Sequence, residues 1–158
     1  MKYRENIFQR IVLEIHNNPG IRFRELMRKT KISNGILTHY IDKLKKLKTI
    51  EIKRSPKECR FFPSSIHEIE QNIIVALRKK SLREILFLLQ KEMTSFSDIC
   101  EVSELAPSTV SSKLKALAVM NIVEHRYQNK SKKFKIKYPE KILEITKKYQ
   151  GLIKIKEP

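Results

Sequence analysis

The sequence contains little glycine and cysteine and no tryptophan. Only three glycines occur in 158 residues, and no glycine-rich phosphate-binding loop is present. Cys59 and Cys100 lie far apart and without CxxC spacing, so neither a disulfide framework nor a zinc cluster is indicated. No Ser/His/Asp, metal-ligand or paired-carboxylate arrangement stands out. The sequence therefore predicts a protein that is not an enzyme and that has no metal site and no cofactor.

Long apolar segments are also missing. No apolar run approaches the ~20 residues that cross a bilayer, and the first ten residues, MKYRENIFQR, lack the apolar core of a signal peptide. Two scattered thiols suit a reducing compartment. We therefore expect a cytoplasmic protein without a membrane partner.

Acidic residues are half as numerous as basic ones. The chain has 17 Asp and Glu against 34 Lys and Arg, which gives a formal charge of +17. The charge is +10 over residues 1–65 and +7 over residues 66–158, so the excess is not confined to a tail. A strongly cationic protein attracts polyanions. Nucleic acid is the leading candidate, and an anionic membrane surface is the lesser one.

One stretch of the sequence occurs twice. Residues 23–54 align without a gap on residues 96–127, at a separation of 73 positions. The matched positions are mostly apolar and helically spaced, such as Leu37 with Val110, whereas the outward positions differ. Two unrelated amphipathic helices can align by chance, but this agreement continues through two helices into a strand. It predicts two copies of one fold with a shared core and different exposed faces.

The apolar periodicity of the first copy predicts three helices followed by a hairpin. The predicted elements are helices at 4–17, 23–30 and 34–47 and strands at 49–54 and 59–62. Ser33 is the expected N-cap of the third helix, and Asn18-Pro19-Gly20 is expected to end the first one. This order of elements is that of a winged helix-turn-helix domain.

The remainder of the chain repeats this order after a connecting helix. The predicted elements are a stiff linker helix within 66–80, a helix that Ser81 caps, the repeated pair with its second helix at 107–120, strands at 122–127 and 133–138, a last helix from Pro139 and an apolar-basic tail at 152–155. The predicted domains are 1–65, the linker 66–80, 81–138, and a C-terminal helix and tail at 139–158. The expected fold class is mainly α with small β-hairpin wings (α+β): two winged helix-turn-helix domains in tandem, joined by a helix.

Three segments resemble a known family. Phe23, Glu25 and Leu26, with ILTHYIDKL at 36–44 and LAPSTVSSKLKAL at 105–117, resemble winged-helix repressors of the ArsR and MarR type. The doubled arrangement is similar to archaeal transcriptional regulators that carry two such domains in one chain. The resemblance covers residues 5–63 and 81–138, and it implies a recognition helix in the major groove and a wing on the adjacent backbone. The cysteine motif of metal-sensing ArsR members is absent, so metal sensing is not implied.

The outward polar positions of each copy are the candidate DNA contacts. Base edges are read by side chains on a helix in the major groove, and phosphates are neutralised by Lys and Arg. The predicted groove contacts are Asn34, His39, Tyr40, Lys43, Ser108, Thr109, Ser111, Ser112 and Lys113. The predicted wing contacts are Arg54, Lys57, Arg60, Lys130, Lys132 and Lys133. Any one of these side chains could instead be an ordinary solvated group, so the collective basic face is the firmer prediction.

These observations lead to one functional hypothesis and two alternatives. The hypothesis is a sequence-preferring transcriptional regulator that binds double-stranded DNA, is associated with the nucleoid, and acts as a monomer or a homodimer. The alternatives are an architectural DNA-binding protein with little sequence preference and a winged-helix scaffold for protein interactions. The sequence does not indicate whether a small-molecule effector binds.

Overall fold

Two compact units make up the chain in the computed structural model. Unit 1 is Met1–His67 and unit 2 is Glu68–Pro158. The structure describes the backbone of residues 2–151 and the side chains of residues 6–151. The tail at 152–155, for which the sequence analysis expected pairing or packing, lies outside the described residues.

Unit 1 is a three-helix domain with a small antiparallel sheet. Its elements are α1 (Lys2–Asn17), β1 (Ile21–Arg22), α2 (Phe23–Thr30), α3 (Asn34–Lys46), β2 (Ile50–Arg54) and β3 (Cys59–Pro63). Apolar residues four positions apart on α1, including Ile11 and Ile15, form one buried stripe with Leu26 of α2 and Leu44 of α3. The helices expected at 4–17, 23–30 and 34–47 thus correspond to α1, α2 and α3.

Unit 2 contains the same order of elements with one added helix at each end. Its elements are α4 (Glu68–Arg78), α5 (Lys80–Leu89), β4 (Thr94–Ser95), α6 (Phe96–Ser103), α7 (Pro107–Val119), β5 (Val123–Gln128), β6 (Ser131–Ile136) and α8 (Pro139–Lys148). The predicted fold class, two winged helix-turn-helix domains in tandem, is confirmed. The N-cap of α5 is Lys79 rather than the expected Ser81.

The helix that the sequence analysis assigned to a linker is α4, and in the structure it is part of unit 2. It packs against α5 and α8. The Asn72 amide donates a hydrogen bond to the Met120 carbonyl oxygen at 3.0 Å, and the Lys141 ammonium lies 3.2 Å from a Glu70 carboxylate oxygen. The same helical spacing is typical of a solvated spacer and of a packed helix, so periodicity alone does not separate the two.

The two units repeat each other down to single backbone conformations. The bounds of α2 and α6, and those of α3 and α7, differ by 73 positions throughout. Left-handed residues follow the same rule, since Lys31 (φ 55°) matches Glu104 (φ 56°) and Lys48 (φ 55°) matches Asn121 (φ 61°). These residues stand after the C-terminus of each helix, where a left-handed residue ends the helix. The repeat is therefore structural as well as sequential.

Each unit contains a three-stranded sheet rather than the expected two-stranded hairpin. The strand orders are β1-β3-β2 and β4-β6-β5, and all pairs are antiparallel. β1 and β4 have two residues each, which is too short for a period-two pattern to be visible in a sequence. They fix the start of α2 and α6 to the hairpin, so the helix-turn-helix and the wing form one body within each unit.

No helix in the described part of the chain is both long and apolar enough to cross a membrane.

The buried stripe of α3 gives a prediction with an internal control. Leu44 is fully buried and Leu47, at the C-cap of the same helix, is 58% exposed. Leu44→Ala is expected to lower the free energy of unfolding by about 2–5 kcal/mol, because it leaves a cavity in the core. Leu47→Ala, with the same change in side chain, is expected to cost less than about 1 kcal/mol. Urea denaturation followed by circular dichroism measures both, and equal losses would contradict the buried stripe.

Candidate nucleic-acid interface

The outward face of α3 carries most of the predicted groove contacts of unit 1. Leu37, Ile41 and Leu44 are buried, and this stripe turns the opposite face toward solvent. Asn34, His39, Lys43 and also Ile36 and Thr38 are exposed. Three of the four residues predicted on this helix are therefore accessible.

Tyr40, the fourth predicted residue, is buried. The prediction that its side chain faces the groove is therefore wrong. It is only 8% exposed and belongs to the apolar core of unit 1. The reason is helical spacing: positions 37, 40, 41 and 44 follow the i, i+3, i+4, i+7 pattern of one buried stripe. His39 contacts it edge-on, with ring centroids 5.5 Å apart. The same spacing in the sequence could have identified Tyr40 as a core residue.

Asn34 is held by its own helix. The Thr38 hydroxyl donates a hydrogen bond to the side-chain amide oxygen (Oδ1) of Asn34 at 3.2 Å, one helical turn away. This contact restrains the amide. A restrained amide loses less conformational entropy on binding than a freely rotating one.

The outward face of α7 carries small hydroxyl side chains. Val110, Leu114 and Leu117 are buried, and Pro107 occupies the first turn of the helix. Ser108, Ser111 and Ser112 are exposed, whereas Thr109 and Lys113 are half-buried. Lys115, which the sequence analysis placed on the outward face but did not include among the predicted contacts, is exposed. All five residues predicted on α7 thus lie at least partly on the surface.

The wing of unit 1, residues 50–63, is hereafter wing 1. Arg54 and Lys57, two of its predicted contacts, are exposed near its tip. Ser55 and Glu58 are joined by a backbone hydrogen bond of 2.9 Å, so Pro56-Lys57 is a two-residue turn. Two of the three cations predicted on wing 1 are therefore accessible to a ligand.

Arg60 is the exception on wing 1, and it is a structural residue. It is 3% exposed. Its Nε atom lies 2.9 Å from the Glu58 carboxylate, and its Nη1 donates to the Gly20 carbonyl oxygen at 2.7 Å. Glu58 also pairs with Arg22 at 2.7 Å. A buried guanidinium requires such partners, so the phosphate-contact prediction for Arg60 is replaced by a role in joining β3 to the turn before β1.

The wing of unit 2, residues 123–136, is hereafter wing 2. Asn129 and Lys130 form its two-residue turn with φ of 51° and 62°, which is the geometry that continues the twist of the strands. Lys130 and Lys132 are exposed and Lys133 is half-buried. The Lys132 ammonium lies 5.4 Å from the centroid of the Phe134 ring. The three predicted contacts of wing 2 are thus partly or fully accessible.

An aromatic row on wing 2 was not among the predicted contacts. The His125 ring lies 6.1 Å from both the Phe134 and the Tyr127 ring, and Tyr127 is 73% exposed. These residues share one side of the hairpin because His125 pairs with Phe134 and Tyr127 pairs with Lys132. Alternation from the buried Val123 places Tyr127 on this side, but a sequence alone does not show that the hairpin carries it into solvent.

Glu124 lies on the opposite side of wing 2 and neutralises part of its charge. The hydrogen bond from the Lys135 ammonium is the main reason that the pKa of Glu124 lies below its usual value, and the charges of Lys135, Arg126 and Lys137 lower this pKa further. The ion-pair distances are 3.1 Å to Lys135 and 3.4 Å to Arg126. Glu124 is therefore a carboxylate at neutral pH.

Metal-binding groups are not assembled among the described side chains. No group of three or more His, Cys, Asp or Glu residues in residues 6–151 is placed to hold a metal ion.

The Glu58 contacts generate a stability prediction. Glu58→Ala is expected to lower the free energy of unfolding by about 3–5 kcal/mol, because the buried Arg60 charge loses its carboxylate. Lys57→Ala, one position earlier and exposed, is expected to change it by less than about 0.5 kcal/mol. Urea denaturation measures both, and hydrogen exchange locates the loss in unit 1. A stable Glu58→Ala variant would contradict the structural role of Arg60.

Family models match both units. A model described as an N-terminal helix-turn-helix domain matches residues 5–74, and a model described as bacterial regulatory protein, arsR family, matches residues 73–125. Among solved structures, a similar one is the homodimeric winged helix-turn-helix DNA-binding domain of a possible ArsR-family transcriptional regulator from Mycobacterium bovis. That structure is 20% identical over 50% of this chain and 73% of its own, with a TM-score of 0.45. No curated protein matches this chain significantly. The protein therefore consists of two helix-turn-helix domains in tandem, and the second is similar, over residues 73–125, to the arsR family of bacterial regulatory proteins.

Proposed function

We propose that the protein is a transcriptional regulator that binds double-stranded DNA with sequence preference. In this proposal α3 and α7 enter the major groove, and the two wings lie on the adjacent sugar–phosphate backbone. The observation that carries the proposal is that the second helix of each helix-turn-helix buries one stripe and exposes a polar face, in a unit of positive net charge.

The dimensions and chemistry of the two helices support entry into the groove. A major groove about 12 Å wide admits an α-helix, whose side chains then reach the base edges. Side chains at the N-terminal end of such a helix are the usual base contacts. Asn34 and Ser108 are exposed on the first turns of α3 and α7.

The charge of the wings supports contact with phosphates. Each Lys or Arg that neutralises a phosphate releases condensed counterions, which raises affinity at low salt for every DNA sequence. Arg54 and Lys57 on wing 1, and Lys130, Lys132 and Lys133 on wing 2, are exposed or half-buried. Tyr40 and Arg60 are left out of the proposed interface because they are buried.

The proposed contacts are the accessible members of the predicted set. They are Asn34, His39, Lys43, Arg54, Lys57, Ser108, Thr109, Ser111, Ser112, Lys113, Lys130, Lys132 and Lys133. One chain would bring two reading helices to DNA, and a homodimer would bring four. Either assembly would place the protein with the nucleoid.

Fluorescence anisotropy with labelled duplex DNA tests the proposal. Binding at low salt, followed by recovery of a motif from random duplex DNA, is the expected result. Binding without a motif would favour an architectural protein. No binding at low salt would favour a protein-interaction scaffold.

Wing 2 gives a quantitative prediction. Replacing Lys130, Lys132 and Lys133 by alanine is expected to weaken binding to all sequences. It should reduce the slope of log affinity against log salt by about 3, since each phosphate contact contributes about 0.9. Anisotropy titrations between about 50 and 200 mM salt measure the slope.

A charge-matched control separates contact from overall charge. Lys80, Lys147 and Lys148 are exposed and lie on α5 and α8. Their replacement by alanine also removes three positive charges, and it is expected to change the slope by less than about 1 because these helices are not part of the proposed interface. Equal changes in slope for the two triple variants would remove wing 2 from the proposed interface.

A further inference from the structure

Equivalent positions of the two units carry different exposed side chains. These differences are consistent: unit 1 has the more varied helix face, and unit 2 has the more positively charged wing. Because α3 and α7 have the same bounds at a separation of 73 positions, each exposed residue of one helix has a partner in the other. The two wings likewise correspond, since β2–β3 and β5–β6 pair in the same register.

The α3 face offers a different group at nearly every exposed position. Asn34 is an amide, Ile36 is a branched apolar side chain with 44% exposure, and Asp42 is an exposed carboxylate. Each matches a different base edge: an amide pairs with adenine, an apolar group contacts the thymine methyl, and a carboxylate accepts from the cytosine amine. A carboxylate near phosphates lowers the electrostatic affinity for DNA. Asp42 is therefore better suited to discriminating between bases than to attracting the phosphate backbone.

Asn34 is also prepared for such a contact. The hydrogen bond from Thr38 restrains its amide, and the second lone pair of its oxygen and its NH₂ group remain for a base edge. In α7 the equivalent of Asn34 is Pro107, which has no polar side-chain atom. The equivalent of Thr38 is Ser111. Unit 2 therefore lacks this restrained amide.

The α7 face offers one kind of group repeatedly. Ser108, Ser111 and Ser112 expose hydroxyls, each of which donates or accepts and pairs with any base or with a phosphate. The equivalents of Ile36 and Asp42 are Thr109 and Lys115, so neither the branched apolar group nor the carboxylate recurs. Such a face holds DNA without distinguishing its sequence strongly.

The wings differ in net charge, and here unit 2 has the stronger attraction for phosphates. Wing 1 has four Lys or Arg and two Glu, a net charge of +2, whereas wing 2 has five Lys or Arg and one Glu, a net charge of +4. On wing 1, Glu58 forms ion pairs with Arg22 and with the buried Arg60. On wing 2, Ser131 stands at the position of Glu58 and Lys133 at that of Arg60. The exposed Tyr127, beside Lys132, adds an apolar surface for a sugar or base edge.

We propose that the two units have different roles in DNA recognition. The sequence preference comes from α3 of unit 1, whereas wing 2 and the serine face of α7 in unit 2 contribute affinity that does not depend on sequence. The inference rests on the proposed function. The DNA site of each chain would then contain one group of base pairs with a strong base preference and another group with a weak one. The residues that carry the discrimination are Asn34, Ile36 and Asp42.

Selection of bound fragments from random duplex DNA tests this division with the full-length chain and two variants. The first variant replaces Asn34, Ile36 and Asp42 by alanine, and the second replaces Ser108, Ser111 and Ser112 by alanine. All six residues are exposed, and circular dichroism verifies that both variants are folded.

The expected result is a clear contrast between the variants. The α3 variant should lose the motif and its preference for the selected site over a scrambled site, by about 10- to 100-fold for each lost bidentate contact. The α7 variant should keep the motif and lose affinity for selected and scrambled sites equally. The single substitution Asp42→Asn should alter preference at one base pair while other positions of the motif persist.

The outcomes distinguish the two proposals. A wild-type chain that selects no motif overturns both the sequence preference and its division. A wild-type motif that survives in the α3 variant and disappears in the α7 variant overturns the division and leaves the proposed function intact. Equal loss of the motif in both variants also overturns the division.

Discussion

One buried apolar stripe on α3 and another on α7 determine how the rest of each unit is arranged. Leu37, Ile41 and Leu44 on α3, like Val110, Leu114 and Leu117 on α7, are buried at spacings of three and four residues. Burial of such side chains contributes roughly 1.5–3 kcal/mol each, so rotation of the helix about its axis is strongly opposed. The stripe fixes the helix orientation and therefore decides which polar residues face solvent.

The wings are held to the helices by a different kind of interaction. The short strands β1 and β4 precede α2 and α6 directly and pair with the return strands of the wings. In unit 1, Arg60 adds hydrogen bonds to Glu58 and to the Gly20 carbonyl. The sheet thereby joins each wing to the helix-turn-helix of its own unit.

The two units share one framework and differ in their exposed side chains. The turn conformations at Lys31 and Glu104 are the same, although a lysine and a glutamate occupy them. Exposed positions, in contrast, differ in charge and shape between the copies, as at Asn34 and Pro107 or Glu58 and Ser131. A surface residue can change at a cost within about 0.5 kcal/mol, whereas a core residue cannot. One framework can thus present two faces with different chemistry.

The fold class, the repeat and most of the accessible side chains could be predicted from the sequence, because apolar periodicity reports directly which side of a helix is buried. This periodicity predicts Asn34, His39 and Ser112 on the surface, where the structure has them. Three features required the folded structure: α4 packs within unit 2, two-residue strands complete the sheets, and Arg60 is buried. An amphipathic side chain can satisfy either environment, and the choice depends on neighbours that are distant in the sequence, such as Gly20 for Arg60.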